Sequence, residues 1–168
     1  MTAHRAFLRW PDRRLASPAA EVAAITDDIR AIWAEMIAAM EAMPGVGLAA
    51  PQLGVMLRLA VVDASTARGQ AIRLANPRIV SAAPVMVRRQ EASPNLPGVA
   101  AEVARPAAVT VAYLDDSGRE RMGDFDGLWA TSVQHQIDHL DGRMFFDHLG
   151  AVKRRMLLTR AEKLRRRA

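Results

Sequence analysis

The chain has no cysteine. Disulfides are thereby excluded, and so are a thiolate nucleophile and a thiolate metal ligand. No apolar run approaches the ~18 residues that a helix needs to cross a bilayer, so no membrane partner is expected. The first fifteen residues scatter five arginines and histidines among apolar positions. They contain no apolar stretch of the kind a secretion signal uses, which points to the cytoplasm. Internal repeats, low-complexity tracts and linkers are also absent. What remains, 168 residues with 51% hydrophobic content, predicts one compact domain over 1–168 that buries about two-thirds of its unfolded surface.

Excess charge is scarce outside one segment. The net charge is +5, but residues 153–168 hold eight Lys/Arg against Glu162, a net of +7, and the rest of the chain sums to −2. Val152, Met156, Leu157, Ala161 and Leu164 recur there at helical spacing, predicting an amphipathic helix with one docked face and one basic face. Such a basic face is either solvated or an arm for a phosphate-rich partner.

Thr26-Asp27-Asp28 reads as a cap and first turn, and Ile29, Ile32, Trp33, Met36, Ile37, Met40 and Met43 continue as a 3.6-residue stripe that ends at Pro44-Gly45. Short Val- and Ile-rich segments follow at 57–62, 71–75, 78–80, 85–89 and 107–114, separated by Pro, Gly, Asn or Ser, and read as strands. Asp115-Asp116-Ser117-Gly118 is a hairpin turn into a polar strand at 119–123. Asp126 is placed to cap a second helix over about 127–141. The order helix, antiparallel strands, helix, helix gives an α+β fold.

His135-Gln136-Ile137-Asp138-His139 sets two histidines one turn apart on that second helix, so both imidazoles can reach one metal ion. Alone, such a pair can equally be hydrogen-bonded without metal. In H-E-x-x-H hydrolases the second residue is the glutamate that takes a proton from metal-bound water. Here it is Gln136, an amide with no useful basicity. Upstream, Gly45-Val46-Gly47-Leu48-Ala49-Ala50-Pro51-Gln52 joins the first helix to a strand, with glycines that allow close backbone approach and an amide donor at Gln52.

Together with Glu91–Gly98 and Gln134–Gly142, this segment resembles the three motifs of the peptide deformylases, G-x-G-x-A-A-x-Q, E-G-C-L-S and Q-H-E-x-D-H, in order and spacing. The resemblance covers nearly the whole chain. It implies antiparallel sheets packed around a central helix carrying HxxxH, with an N-terminal and a C-terminal helix. It also implies a divalent metal (Fe2+, also Zn2+ or Ni2+) and water attack on the formyl group of an N-formylmethionyl nascent peptide. By the same resemblance His135 and His139 match the two histidine ligands and Gln52 matches the donor to the formyl oxygen. Val46 and Gly47 match backbone that pairs with the substrate, and Glu91 and Arg105 a structural ion pair. The C-terminal helix is implied to dock on the ribosome.

The middle motif departs from the family pattern. Ser93 stands at the cysteine ligand, a neutral hydroxyl for an anionic thiolate. Pro94 stands at a leucine whose N–H helps bind the oxyanion, and proline has none. Gln136 stands at the general base. By offset from the motifs, Arg89, Thr131 and Ser132 fall at mainly apolar positions of the methionine side-chain pocket, where Leu128 stays apolar, so methionine is expected to fit less well. Asp138 and Asp141 are conceivable extra ligands, with Asp138 better suited to orient a histidine from behind. The expected protein is a degenerate peptide deformylase homologue with weak or absent activity and low or no metal occupancy. The alternatives are an active metallohydrolase, in which Ser93 ligates as alkoxide or through water, and a non-catalytic protein that binds nascent chains or ribosomes.

Overall fold

The computed structural model describes residues 5–168. Met1–His4, part of the stretch read above for a secretion signal, lie outside the described residues. Helix α1 spans Asp27–Ala42. The Thr26 hydroxyl caps it, accepting the Ile29 N–H at 3.3 Å, and Asp27 and Asp28 sit at the positive end of its dipole. Ile29, Trp33, Met36 and Met40 form the buried stripe, and the Gly45 N–H returns to the Met40 carbonyl at 2.8 Å where the chain turns.

The strands are β1 Gly47–Ala49, β2 Leu59–Val62, β3 Ile72–Ala82, β4 Met86–Glu91, β5 Ala101–Pro106, β6 Ala108–Leu114 and β7 Glu120–Asp126. One antiparallel sheet has the order β1-β2-β3-β6-β7, and β4 and β5 form a separate antiparallel ribbon. The two strands expected at 71–75 and 78–80 are one, because β3 runs on through Asn76-Pro77 with a register shift against β6. Asn76 sits at φ 48°, and its side chain bonds the N–H and the carbonyl of Val22, each at 2.9 Å. Those long-range contacts keep within one strand a stretch that local rules read as a break. The β6–β7 hairpin forms as expected, with Asp115 Oδ1 accepting the N–H groups of Ser117 at 2.9 Å and Arg119 at 3.0 Å.

Helix α2, Gly127–Leu140, lies between the two sheets, against β1, β2, β6 and β7 on one side and β5 on the other. From Ala130 to Leu140 only Asp138 escapes full burial. Asp126 occupies the cap position but its side chain makes no capping bond, contrary to expectation. The other end is well terminated: Gly142, at φ 75°, bonds back to the His139 carbonyl at 3.1 Å, and the Arg143 N–H reaches the Asp138 carbonyl at 2.8 Å. Helix α3, Ala151–Arg167, docks through Leu157, Leu158 and Ala161 onto a cluster containing Leu96, Met144, Phe145 and Phe146. Val152 and Met156, expected on the docked face, are 59% and 66% exposed. At 100° per residue they fall opposite Ala161, and Leu158 takes their place. The architecture is α+β, with antiparallel sheets and N-terminal, central and C-terminal helices, as the sequence predicts. Among the described residues no helix is long and apolar enough to cross a membrane.

Candidate functional site

Ser132, His135, Gln136 and His139 recur at three- and four-residue steps on α2, so they share the helix side that meets β1 and β4. A cavity of about 340 Å³ opens there. Its walls include Val46, Gly47 and Gln52 from the β1 segment, Ser93 and Pro94 from the loop after β4, and Leu128, Thr131, Ser132, His135 and Gln136 from α2. Close approach of β1 to α2 requires Gly47: a Cβ there would collide with Ser132 Oγ and Gln136 Nε2. Ser132 Oγ donates to the Val46 carbonyl at 2.8 Å, which also accepts the Asp63 N–H at 2.9 Å.

Behind the cavity runs a chain of buried polar groups. His135 Nδ1 lies 2.8 Å from Glu91 Oε1. A carboxylate opposite that nitrogen makes it an N–H donor, and on the other side of the ring Nε2 faces His139 Nε2 at 3.2 Å. Arg105 grips Glu91 in a fork of 2.7 and 2.9 Å and donates to Asp138 Oδ2 at 2.9 Å. His148 closes the chain, 2.7 Å from the same Asp138 oxygen. Burial works against charge on Glu91, but hydrogen bonds from His135 and Arg105 outweigh it and hold the carboxyl below its ordinary range. Burial likewise opposes charge on Asp138, which His148 and Arg105 hold low. His139 is pushed well below the usual imidazole range, first by its complete burial and then by His135. It is therefore neutral at pH 7, and its Nδ1 has no partner.

On the other wall Gln52 Oε1 accepts the Ala49 N–H at 2.9 Å, and Nε2 donates to Asn95 Oδ1 at 2.8 Å and, more weakly, to Ser93 Oγ at 3.5 Å. The Ser93 hydroxyl donates to Asn95 Oδ1 at 3.0 Å. Asn95 is anchored in turn, its Nδ2 donating to the carbonyls of Leu8 at 2.6 Å and Gln52 at 3.1 Å.

The fit of this donor set to a divalent metal is uneven. Two nitrogens each about 2.0–2.1 Å from a tetrahedral ion would stand about 3.3 Å apart, close to the 3.2 Å between the histidine rings. The pair fits half of a metal centre. The rest does not fit: Ser93 is a neutral hydroxyl whose proton is committed to Asn95. Asp138 is turned to Arg105 and His148, and Asp141 is paired with Arg58 at 2.9 Å outside the site. Among the described residues no group of three or more His, Cys, Asp or Glu is placed to hold an ion.

Most of the residues singled out from sequence are thus brought together. Arg89 is not: it is exposed and takes no part in the cavity wall, because β4 belongs to a two-stranded ribbon whose Glu91 end alone is buried. Its neighbour Gln90 lines the cavity instead. Glu91, rather than Asp138, orients His135. Sequence reading missed Asn95 and His148, both polar; Asn95 is held by segments 43 and 87 residues away and His148 reaches Arg105 across 43. The Ser-Pro-Asn triplet at 93–95, a turn signal, was the one local hint of Asn95.

Comparison with known proteins relates the whole chain, rather than the details of this site, to one family. The polypeptide deformylase family pattern matches residues 4–155. The chain is 40% identical over 162 residues to a peptide deformylase-like protein of Bradyrhizobium diazoefficiens, covering 96% of this chain and 95% of that one. It is 39% identical over 164 residues to a peptide deformylase of Methylocella silvestris, covering 95% and 84%. The crystal structure of a peptide deformylase from Legionella pneumophila superposes with a TM-score of 0.91 at 36% identity, covering 98% and 96% of the two chains. That of the Ehrlichia chaffeensis peptide deformylase gives 0.91 at 30% identity, covering 98% of each.

Proposed function

The chain belongs to the polypeptide deformylase family, and from that premise we propose that it keeps the family's cleft for a peptide N-terminus while removing formyl groups weakly or not at all. The observation that carries the reading is the Ser93 hydroxyl, which keeps its proton and donates a hydrogen bond to Asn95 Oδ1 at 3.0 Å at the position where the family places an anionic metal ligand. Gln52 is the donor to the substrate carbonyl, and its Nε2 is held toward Ser93 by Asn95. Pro94 offers no N–H beside it, and Gln136 can orient a group but cannot take its proton. Val46, Gly47 and Leu128 supply the peptide-binding wall. His135, His139 and Ser93 form a donor set without an anionic ligand, so a divalent ion is held with low occupancy or not at all.

Removing a general base lowers rates by ~10²–10⁴ and one oxyanion donor by ~10²–10³. Turnover of a formyl-Met peptide is therefore expected at least ~10⁴-fold below that of an intact relative, assayed with Fe2+, Zn2+ or Ni2+ added and with metal content measured on protein purified without them. Activity within tenfold of the relative, or a stoichiometric ion in the untreated protein, overturns the reading in favour of an active metallohydrolase, to which the histidine spacing is already suited.

The exposed basic face of α3 supports a location for this binding. Lys153, Arg155, Arg160, Lys163 and Arg167 are all exposed on it, a surface suited to the phosphates of ribosomal RNA near emerging nascent chains.

A further inference from the structure

Met43, Pro44, Gly45, Val46 and Gly47 all line the cavity, and three carbonyls in and behind this segment are gripped from outside it. Arg68 Nη2 donates to the Gly45 carbonyl at 2.6 Å and Nη1 to the Asp63 carbonyl at 2.8 Å. The Asp63 N–H in turn reaches the Val46 carbonyl at 2.9 Å, which Ser132 also bonds. Glu41 on α1 braces the guanidinium at 3.0 and 3.3 Å. The loop that carries Arg68 is closed at its base, because the buried Asp63 carboxyl accepts the N–H groups of Ser65 at 3.0 Å and Gln70 at 2.9 Å. Arg68 itself stands at φ 60°. A residue with a side chain is strained there, persists only where its surroundings enforce the conformation, and is found most often beside functional sites.

The register of β1 shows what the grip positions. The bond from the Asp63 N–H makes Val46 and Asp63 a hydrogen-bonded position of the β1–β2 ladder, so Gly47 opposite Val62 is a non-hydrogen-bonded one. Its N–H and C=O therefore point away from β2, to the open edge of the sheet. Ala49 keeps the same phase, its N–H bonding Gln52 rather than β2. Resting on the peptide-binding reading above, we propose that Arg68 is the positioning residue of that edge: by fixing the Gly45 and Asp63 carbonyls it holds the Gly47 N–H and C=O in line for the backbone of an entering peptide. Arg68 is not among the residues that line the cavity, so it acts through Gly47 and not by touching the peptide.

The probe is formyl-Met-Ala-Ser-amide, which carries no charge for Arg68 to attract, together with analogues methylated in turn at each of its backbone nitrogens. Their affinities for the full chain are measured by calorimetry, alongside melting temperatures. Arg68→Gly removes the guanidinium and places at φ 60° the residue that is least strained there. The fold is expected to hold while affinity for the unmethylated peptide falls about tenfold. Glu41→Gln leaves both carbonyl bonds in place and is expected to keep affinity within about twofold. Methylating the nitrogen that pairs with the Gly47 carbonyl is expected to weaken binding to the wild type about tenfold and to Arg68→Gly less than about threefold, since that pairing is already lost. Equal affinities of Arg68→Gly and wild type, equal methylation effects in the two, a wild type indifferent to every methylation, or a Glu41→Gln loss as large as that of Arg68→Gly overturns the proposal and leaves the peptide-binding reading standing. Failure of the wild type to bind any of the peptides overturns both.

Discussion

Glu91 collects partners from two other elements, Arg105 on β5 and His135 on α2, and so ties the ribbon to the central helix. Its carboxyl is held below the 4.5 of a free glutamate. The stabilisation this represents is present above that value and is lost as pH falls through the lowered one. Glu91→Gln is expected to destabilise the protein by about 3 kcal/mol at pH 7, because Arg105 keeps only Asp138. The gap to wild type should narrow below pH 4.5, read from denaturant midpoints at several pH values. A gap that stays constant well below that pH would mean the ion pair does not titrate as a unit. The other residue-scale prediction concerns repair. Gln136→Glu alone is expected to restore less than about tenfold of formyl-Met turnover, since the base has no firmly held ion to serve. Ser93→Cys, Pro94→Leu and Gln136→Glu together are expected to exceed the product of the single effects, as groups sharing one site do. Independent effects would argue that the three positions do not act together. The same residues divide into those legible in the sequence and those that were not. His135 and His139 follow from helical spacing, and the Glu91–Arg105 pair from the family resemblance. Asn95 as the acceptor of the Ser93 hydrogen bond does not, because it depends on the Leu8 carbonyl reaching it from 87 residues away.

At the scale of elements, local chemistry predicted the start of α1 and the β6–β7 turn, where a side chain satisfies nearby backbone groups. It failed where a distant segment did that work. Asn76-Pro77 reads as a break, yet Val22 holds it inside β3. β5 is too poor in β-branched residues to be marked, yet it pairs along the whole of β4. The end of α2 combines both kinds of constraint. Gly142 needs φ 75°, and a Cβ there would lie 2.7 Å from the Ser17 carbonyl carbon and 2.9 Å from that of Ala16. Those are backbone atoms that cannot swing away, so the N-terminal segment and the helix carrying both histidines lean on the same glycine. Gly142→Ala should cost at least about 2 kcal/mol in chemical denaturation. Gly150→Ala, where an added Cβ meets nothing within 4 Å, should cost less than about 1 kcal/mol. Equal effects would show that the contact with residues 16 and 17 does not constrain the helix end.

On the scale of the whole molecule, the α+β order was readable because the helical stripe gives way to short Val- and Ile-rich segments punctuated by Pro, Gly, Asn or Ser where the elements do. Which side of α3 docks was not, because two apolar stripes compete on one basic helix and the choice between them belongs to Phe146 and Leu96 beneath it. That outcome decides how the proposed ribosome contact must be tested. Deleting α3 would uncover Leu96, Phe145 and Phe146 and confuse weaker binding with weaker folding. Arg154 is also best left in place, since it pairs with Asp147 at 3.3 Å and lies 5.2 Å above the Phe146 ring. Changing Lys153, Arg155, Arg160, Lys163 and Arg167 to Gln removes exposed charge alone, and each such change should move stability by less than about 0.5 kcal/mol. Wild-type binding to ribosomes is expected to weaken steeply as salt rises. The five-residue variant should bind much more weakly at low salt, and its logarithmic salt slope should be flatter by about 0.7–0.9 for each phosphate that it no longer neutralises. Equal co-sedimentation of the two proteins at low salt, with unchanged melting temperatures, would show that the basic face of α3 is there only for solvent.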